Sequence, residues 1–146
     1  MPPKKNSRLI THGQISILLV EESQIARSAW KRILQKSGQI QIVGEVAPNQ
    51  FLRGVKQLPP SEIIIAGYSF VEKRLIRSRN FIKALGYFPK TIIICENTNQ
   101  VAAAYKARAD WAVAKPFNDQ DLVTWVRVIS DEAKRLCEEY YAQLLL

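Results

Sequence analysis

The stretch Ile15–Glu22, with the sequence ISILLVEE, constrains the fold of this chain more than any other. Its apolar residues run on without the alternation that marks a half-exposed strand. Such a run is typical of a parallel sheet, in which helices cover both faces of each strand. Two adjacent carboxylates follow, and open α/β sheets place their sites at the carboxyl ends of the strands. We therefore expect the functional residues at that edge of a sheet.

Four further segments repeat this order of an apolar strand followed by a helix. The predicted strands are QIQIVGEVA, SEIIIAG, TIIICE and DWAVA, and the third of the five helices is expected over residues 69–86. Strands that alternate with helices imply right-handed crossovers and a parallel sheet. The sequence therefore predicts an α/β fold of the flavodoxin-like kind. Its sheet is doubly wound, has five parallel strands in the order 2-1-3-4-5 and is flanked by helices.

A length of 146 residues and a hydrophobic content of 47% predict one folded domain with a substantial core. No apolar run reaches the ~20 residues that a membrane span needs, and no signal-type segment opens the chain, so we expect a cytoplasmic protein without membrane contact. Residues 1–14, which include the single His12, are expected to form a flexible leader. Cys95 and Cys137 form neither a metal nor a disulfide pattern.

Several segments together resemble the receiver domain of two-component response regulators. They are ILLVEES, QIVGEVA, SEIIIAG, TIIICEN and RADWAVAKPF, and the similarity covers about residues 15–135. In that family strand one ends in an acidic pair that holds Mg²⁺, and strand three ends in the aspartate that is phosphorylated. Strand four ends in a Ser or Thr, and strand five leads to a Lys-Pro. The resemblance implies a role in phosphorelay-type signal transduction rather than an enzyme.

Against that pattern, the chain keeps some receiver residues and replaces others. Glu21 and Glu22 stand at the acidic pair, each one methylene longer than the usual aspartate. The phospho-acceptor position falls on Gly67, which has no side chain to phosphorylate. Glu96 replaces the strand-four hydroxyl, and Lys115 is retained. The resemblance therefore identifies these five residues as a degenerate phospho-acceptor pocket that contains no catalytic residue.

The switch position of receivers, an aromatic residue that responds to phosphorylation, corresponds to Ala112 in this chain. Trp111 is adjacent, but neighbouring residues of a strand point to opposite faces of the sheet. We therefore do not expect Trp111 to replace the missing aromatic.

Phosphoryl transfer to a receiver needs a carboxylate nucleophile and a divalent ion that neutralises the phosphate charge. Gly67 cannot supply the nucleophile, and Glu96 adds negative charge where the phosphate would sit. A bound Mg²⁺ would also lose a ligand, so we expect no cofactor, Mg²⁺ binding that is absent or weak, and vestigial Glu21 and Glu22. Two interpretations of the remaining charges stay open. Lys115 pairs with one of the glutamates and locks one conformation, or these charges are simply solvated.

The formal net charge of +8 permits an acidic protein partner or nucleic acid. Basic residues are frequent in predicted helices one and three. No helix-turn-helix, RNP-type motif or zinc spacing accompanies them, and a solvated helix surface explains them more simply. A basic, nucleic-acid-associated regulator is therefore the alternative function.

The last predicted helix carries an apolar heptad stripe. Its members, of which the last is one position out of register, are Leu122, Val126, Ile129, Ala133, Leu136, Tyr140 and Leu144. The stripe continues beyond the length that a receiver needs, so we divide the chain into a receiver-like domain at 15–135 and a helical extension at 136–146. We expect this helix to contact another signalling protein or a second copy of the chain.

Since no output domain follows within the chain, the predicted function is that of a stand-alone pseudo-receiver. It is expected to act as a phosphorylation-independent protein-interaction module in bacterial two-component signalling, with every effect passing through a partner.

Overall fold

The computed structural model describes residues 14–54, 58–76 and 89–144, apart from the side chains of residues 52, 54, 132–137, 140 and 141. The predicted leader, up to residue 13, lies outside the described residues. The division of the chain at residues 14 and 135 stays a prediction.

Five strands form one parallel sheet in the order β2-β1-β3-β4-β5. They are β1 (Ile15–Val20), β2 (Ile40–Val46), β3 (Ile63–Gly67), β4 (Lys90–Cys95) and β5 (Trp111–Ala114). Every pairing between neighbours is parallel, as expected when each connection crosses back to the same end of the sheet. The predicted doubly wound α/β fold is confirmed.

Helices flank this sheet. They are α1 (Gln24–Gln35), α2 (Pro48–Gly54), α3 (Ser69–Glu72), α4 (Thr98–Lys106) and α5 (Asp119–Leu144). Two helices begin at a residue whose side chain caps the first turn. Ser23 Oγ accepts a hydrogen bond from the Ala26 N–H at 3.1 Å, and Asn97 Oδ1 accepts one from the Gln100 N–H at 2.9 Å. Each cap satisfies an N–H group that has no partner within its helix.

Two apolar layers, one on each face of the sheet, make up the core. The first lies against α1 and α5, and its buried members are Ile15, Ile17, Leu19, Trp30, Leu34, Ile40, Ile63, Ile65, Ile92, Ile94, Leu122, Val123, Val126 and Ile129. The second lies against α2, α3 and α4, and its buried members are Leu18, Val20, Phe51, Ile64, Ala66, Phe70, Leu75, Ile93, Cys95, Ala104, Ala109 and Ala112. Successive residues of the central strands alternate between the layers, which explains why those strands are apolar throughout.

The third helix is shorter than predicted. The prediction extended it over residues 69–86, whereas α3 ends at Glu72. Arg74 adopts a φ of 55°, a left-handed conformation that stops a helix. The prediction was therefore wrong for residues 73–76, and residues 77–88 lie outside the described part of the chain.

Two hydrogen bonds and an apolar pair explain why α3 stops there. The Arg74 N–H donates to the Val71 oxygen at 2.9 Å, and the Leu75 N–H donates to the Phe70 oxygen at 3.0 Å. These are the two bonds of a Schellman motif. Leu75 and Phe70 are both buried in the second layer, so tertiary packing overrides the helical pattern of the sequence.

Helix α5 continues without interruption for 26 residues. Leu122, Val126 and Ile129 of the predicted stripe are buried in the first layer, whereas Leu144 is 62% exposed. The side chains at the intervening stripe positions, 133, 136 and 140, lie outside the description. Among the described helices, α5 included, none combines the length and the hydrophobicity that a membrane crossing needs.

Candidate functional site at the carboxyl edge of the sheet

The five residues of the predicted pocket follow four neighbouring strands. Glu21 and Glu22 come directly after β1, and Gly67 is the last residue of β3. Glu96 follows β4, and Lys115 follows β5. Because these strands are parallel and adjacent, the five positions share the carboxyl edge of the sheet. Two contacts form among them, one between Glu21 and Gly67 and one between Glu96 and Lys115.

The Glu21 side chain occupies the space that a side chain at position 67 would need. A Cβ atom added to Gly67 would lie 1.9 Å from Glu21 Oε1 and 3.1 Å from Glu21 Cδ. Nonbonded heavy atoms settle at about 3.5–4.0 Å, so no Cβ fits there while Glu21 keeps this conformation. The sequence predicted that position 67 lacks an acceptor, but it did not predict that Glu21 fills the space.

Hydrogen bonds to its own turn hold Glu21 in this position. Glu21 Oε2 accepts from the Ser23 N–H at 2.8 Å, and the main-chain oxygen of Glu21 accepts from Arg27 Nη1. The same Nη1 lies 3.4 Å from the main-chain oxygen of Glu22, whose side chain is exposed. The turn between β1 and α1 is thus fixed by a backbone amide and by a guanidinium one turn into the helix.

Arg27 is a residue of this site that the sequence analysis missed. Its side chain is 14% exposed, and its Nε lies 3.5 Å from Glu45 Oε1 on β2. Lys31 Nζ lies 3.0 Å from the other oxygen of that carboxylate. The guanidinium therefore ties the end of β1 to its neighbouring strand. The sequence feature that could have identified it is the spacing of Arg27 and Lys31, which lie one helical turn apart shortly after the acidic pair.

Lys115 pairs with Glu96, and the distance from Nζ to Oε2 is 2.9 Å. The two side chains are 44% and 65% exposed. Water screens such a pair, and exposed ion pairs contribute about 0.2–1 kcal/mol. Glu21 and Glu22 form no ion pair with a described residue. The exposure of the pair therefore favours a weak surface contact over a strong electrostatic lock. The peptide bond from Lys115 to Pro116 is cis.

Comparison with solved structures finds receiver domains. The isolated REC domain of RcsB from Salmonella enterica serovar Typhimurium gives a TM-score of 0.65 at 13% identity, over 81% of this chain and 89% of that one. The CheY-like receiver domain protein of Methanospirillum hungatei gives 0.61 at 19% identity, over 84% and 98%. A signal receiver domain from Clostridium thermocellum gives 0.62 at 21% identity, over 78% and 95%. This chain has the receiver fold.

The likeness is one of three-dimensional structure. No model of a known protein family matches the sequence, and no curated protein sequence matches it. The resemblance to receiver domains is therefore supported by the similarity of the folds.

Ala112, the predicted switch position, is 6% exposed and belongs to the second layer. Trp111 packs on the first layer, with its ring centroid 6.5 Å from that of Trp125. Trp111 therefore lies on the face of the sheet opposite to Ala112, as expected for neighbouring residues of a strand. Tyr105 on α4 donates its hydroxyl to the Ala112 main-chain oxygen at 3.4 Å. Tyr105 thus contacts the main chain of β5 beside Ala112.

The donor set at the edge does not fit the Mg²⁺ ion that receivers use. One oxygen of Glu21 is engaged by the Ser23 N–H, Glu96 is paired with Lys115, and Gly67 offers no side-chain oxygen. Mg²⁺ needs several oxygen ligands in octahedral arrangement. Within the described ranges, no three His, Cys, Asp or Glu side chains are grouped in a way that could hold a metal ion.

Cys95 ends β4 beside this edge, but its side chain is buried in the second layer. Burial, and to a lesser extent the negative charge of Glu96, raise the pKa of the thiol from its ordinary value of 9.0 to about 11. The thiolate is the reactive form of cysteine. Cys95 is therefore protonated at neutral pH and is no candidate nucleophile.

Proposed function

We propose that this protein is a pseudo-receiver, a response-regulator-type signalling domain that works without phosphorylation. One observation carries the proposal: the Glu21 carboxylate lies in the space above Gly67. Position 67 is where the receiver fold would hold the phospho-acceptor. Here that position has no acceptor side chain, and the hydrogen-bonded Glu21 carboxylate would have to move to make room for one.

The remaining charges oppose both phosphate and Mg²⁺. Glu21 places its charge where a phosphoryl group would be received, and like charges repel. The cation that would steady a phosphate, Lys115, is already 2.9 Å from Glu96. Without a metal to neutralise the developing charge, a carboxylate at this edge is a poor phosphoryl acceptor. We therefore propose a domain that catalyses no reaction and binds Mg²⁺ weakly or not at all.

A domain that catalyses no reaction at the edge of its sheet acts by binding another molecule. We propose that its partner is another signalling protein or a second copy of the chain. The exposed end of α5, where Leu144 is 62% exposed, supports a contact through that helix. Exposed apolar groups at the end of a long helix gain free energy when a partner covers them.

A phosphorylation assay read by intact mass tests the proposal. The chain is incubated with Mg²⁺ and acetyl phosphate, beside a receiver that retains its acceptor aspartate as the positive control. We expect the mass of this chain to stay unchanged while that of the control rises. An acid-labile increase of one phosphoryl group, on Glu21 or on any other carboxylate, would contradict the proposal.

A pair of variants tests whether Glu21 is a cause of the proposed loss of phosphorylation. Gly67→Asp restores a carboxylate, but its side chain meets Glu21 Oε1. Gly67→Asp combined with Glu21→Asp restores the carboxylate and shortens the side chain that blocks it. We expect more labelling of the double variant than of Gly67→Asp alone. Equal labelling of the two variants would mean that Glu21 does not block the position.

The alternative, a nucleic-acid-associated regulator, fits the distribution of charge less well. The basic residues without an ion pair to a described residue include Arg32 on α1, Arg53 on α2, Lys106 on α4 and Arg127 on α5. These helices cover both faces of the sheet, whereas a nucleic-acid surface concentrates charge on one face. Titration with DNA and RNA at two salt concentrations separates the two functions, since micromolar affinity with a steep salt dependence would favour the alternative.

A further inference from the structure

An open groove lies between the end of α1 and the first turns of α5, away from the five residues of the degenerate pocket. It encloses a volume of about 320 Å³, which is in the range of sites that hold small organic molecules. Its lining comes from two segments of the chain, and the residues are Ile33, Lys36, Ser37, Asp119, Gln120, Val123 and Arg127.

The two cations that line this groove form no ion pair with a described acidic residue. The ion pairs of the described residues use Arg27, Lys31, Lys90 and Lys115, and none of them includes Lys36 or Arg127. Asp119 lines the same groove, yet it lies beyond ion-pair distance of either cation. With two cations and one carboxylate, the lining carries a net charge of +1.

Arg127 is held in place by a neutral group. Its Nη2 donates to Ser37 Oγ at 3.2 Å, which connects α5 to the turn after α1 without neutralising the guanidinium. A planar guanidinium with free N–H groups matches the oxygens of a phosphate, and an ordered one loses less entropy when it binds. Ser37 therefore orients a cation whose charge is still available.

Apolar and polar surfaces lie beside the cations. Ile33 is packed against the first layer, and Val123 is 6% exposed and belongs to it. Together they give the groove an apolar wall. Asp119 and Gln120, in the first turn of α5, add a carboxylate acceptor and an amide that can bond hydroxyl or amino groups.

From this arrangement we infer that the groove binds a small organic phosphate of the nucleotide class. The phosphate contacts Lys36 and Arg127, the ring lies on Ile33 and Val123, and the polar groups of the ligand bond Asp119 and Gln120. A bare anion would leave the apolar wall unused, and an uncharged ring would leave the two cations unpaired. The inference does not depend on the proposed loss of phosphorylation, because the two sites share no residue.

The test is an NMR titration of the isotopically labelled full-length chain with adenosine monophosphate, adenosine and inorganic phosphate as separate probes. We expect adenosine monophosphate to bind saturably, with a dissociation constant of about 0.1–1 mM. The amide signals of residues around the groove, such as Ser37 and Gln120, should shift. Adenosine and inorganic phosphate should each bind at least about tenfold more weakly, which corresponds to about 1.4 kcal/mol.

Matched variants separate this groove from the general positive charge of the protein. Lys36→Gln and Arg127→Gln should each weaken binding about tenfold. Arg32→Gln removes the same charge from an exposed residue in the last turn of α1 that does not line the groove, and it should change the affinity less than about twofold. Thermal melts of the three variants check that each one folds.

Several results would overturn the inference. One is that adenosine monophosphate causes no saturable shift of the amide signals. Another is that all three variants weaken its binding equally, which would indicate nonspecific attraction to positive charge. If inorganic phosphate bound as tightly as the nucleotide, the ligand of the groove would not be of the nucleotide class. Tighter binding of a single-stranded oligonucleotide that depends on Arg32 would assign the basic surface to nucleic acid instead.

Discussion

Gly67 and Glu21 share a space that accommodates only one side chain. Glycine at the end of β3 leaves a gap, and glutamate is one methylene longer than aspartate, so its carboxylate reaches that gap from β1. The Ser23 N–H then holds the carboxylate in place. Two positions at which the sequence predicts a loss of receiver chemistry are therefore coupled in space.

This coupling predicts the result of a double-mutant cycle. Gly67→Ala should lower the free energy of unfolding by about 1 kcal/mol, because its methyl group must displace Glu21 from its hydrogen bond. In a Glu21→Ala background the same substitution should cost less than about 0.5 kcal/mol. Urea denaturation of the four proteins measures both values.

Gly38→Ala is the control for this cycle, since a Cβ there meets no atom within 4 Å. It should be neutral or stabilising by up to about 1 kcal/mol. An equal cost of Gly67→Ala in both backgrounds would show that Glu21 is not what excludes a side chain at this position.

The buried thiol of Cys95 predicts a dependence of stability on alkaline pH. Its pKa is raised by burial to about 11 from 9.0, so the unfolded chain loses this proton at lower pH than the folded protein does. The stabilisation is fully present below pH 9 and is lost as the pH rises toward 11. Its size is on the order of 1–3 kcal/mol.

Denaturation of the parent and of Cys95→Ala between pH 8 and pH 11 measures this contribution, because other groups titrate equally in both proteins. The gap in unfolding free energy should narrow as the pH rises. A constant gap would mean that the thiol ionises alike in the folded and unfolded chains.

At the scale of elements, two helices end where an arginine adopts a left-handed conformation. Arg74 follows α3 with a φ of 55°, and Arg108 follows α4 with a φ of 76°. After α4, the Arg108 N–H donates to the Tyr105 oxygen at 2.9 Å and the Ala109 N–H to the Ala104 oxygen at 3.0 Å. Both helices thus end in a Schellman motif, with arginine where glycine is usual.

Replacing that arginine should stabilise the protein. Arg108→Gly relieves the cost of a left-handed backbone for a residue with a Cβ, and we expect a gain of about 0.5–1 kcal/mol. Lys106→Gly, within the last turn of α4, is the matched control and should cost about 1 kcal/mol. Thermal melts of both variants measure the changes. A loss of stability in Arg108→Gly would mean that the arginine side chain makes a contact worth more than the backbone strain.

At the scale of the whole molecule, the first part of α5 covers the sheet and the helix then continues to an exposed end. Its first part supplies Leu122, Val126 and Ile129 to the first layer, and its last described residue, Leu144, is 62% exposed. A mean α-helix has about 11–12 residues, whereas α5 has 26. The added length is what suggests a second use for this helix.

A truncation tests whether that use is self-association. We expect the full chain to associate with increasing concentration in sedimentation experiments, and a chain ended at Arg135 to remain monomeric. Each leucine that is fully buried contributes about 1.5–3 kcal/mol relative to exposure, so a few of them support a modest dimer. A thermal melt of the shortened chain checks that its domain still folds. If both chains are monomeric, or both associate equally, α5 serves only as a cover of its own domain.

The sequence by itself was enough to predict the fold. The apolar runs of β1, β3 and β4 and the alternation of strands with helices are local patterns, and each follows from the residues of one segment. That position 67 offers no carboxylate was equally visible, because the absence of a side chain needs no coordinates.

Only the tertiary structure decided which side chains meet. Glu21 and Gly67 are 46 positions apart in the chain, and the overlap of their space depends on the register of β1 with β3 and on one glutamate rotamer. Arg27 joins the site because α1 packs beside β2, and α3 ends early because Leu75 and Phe70 are buried together. The groove beside Arg127 likewise exists only where α1 and α5 pack side by side. Such contacts depend on distances between segments, which a local pattern of residue types does not encode.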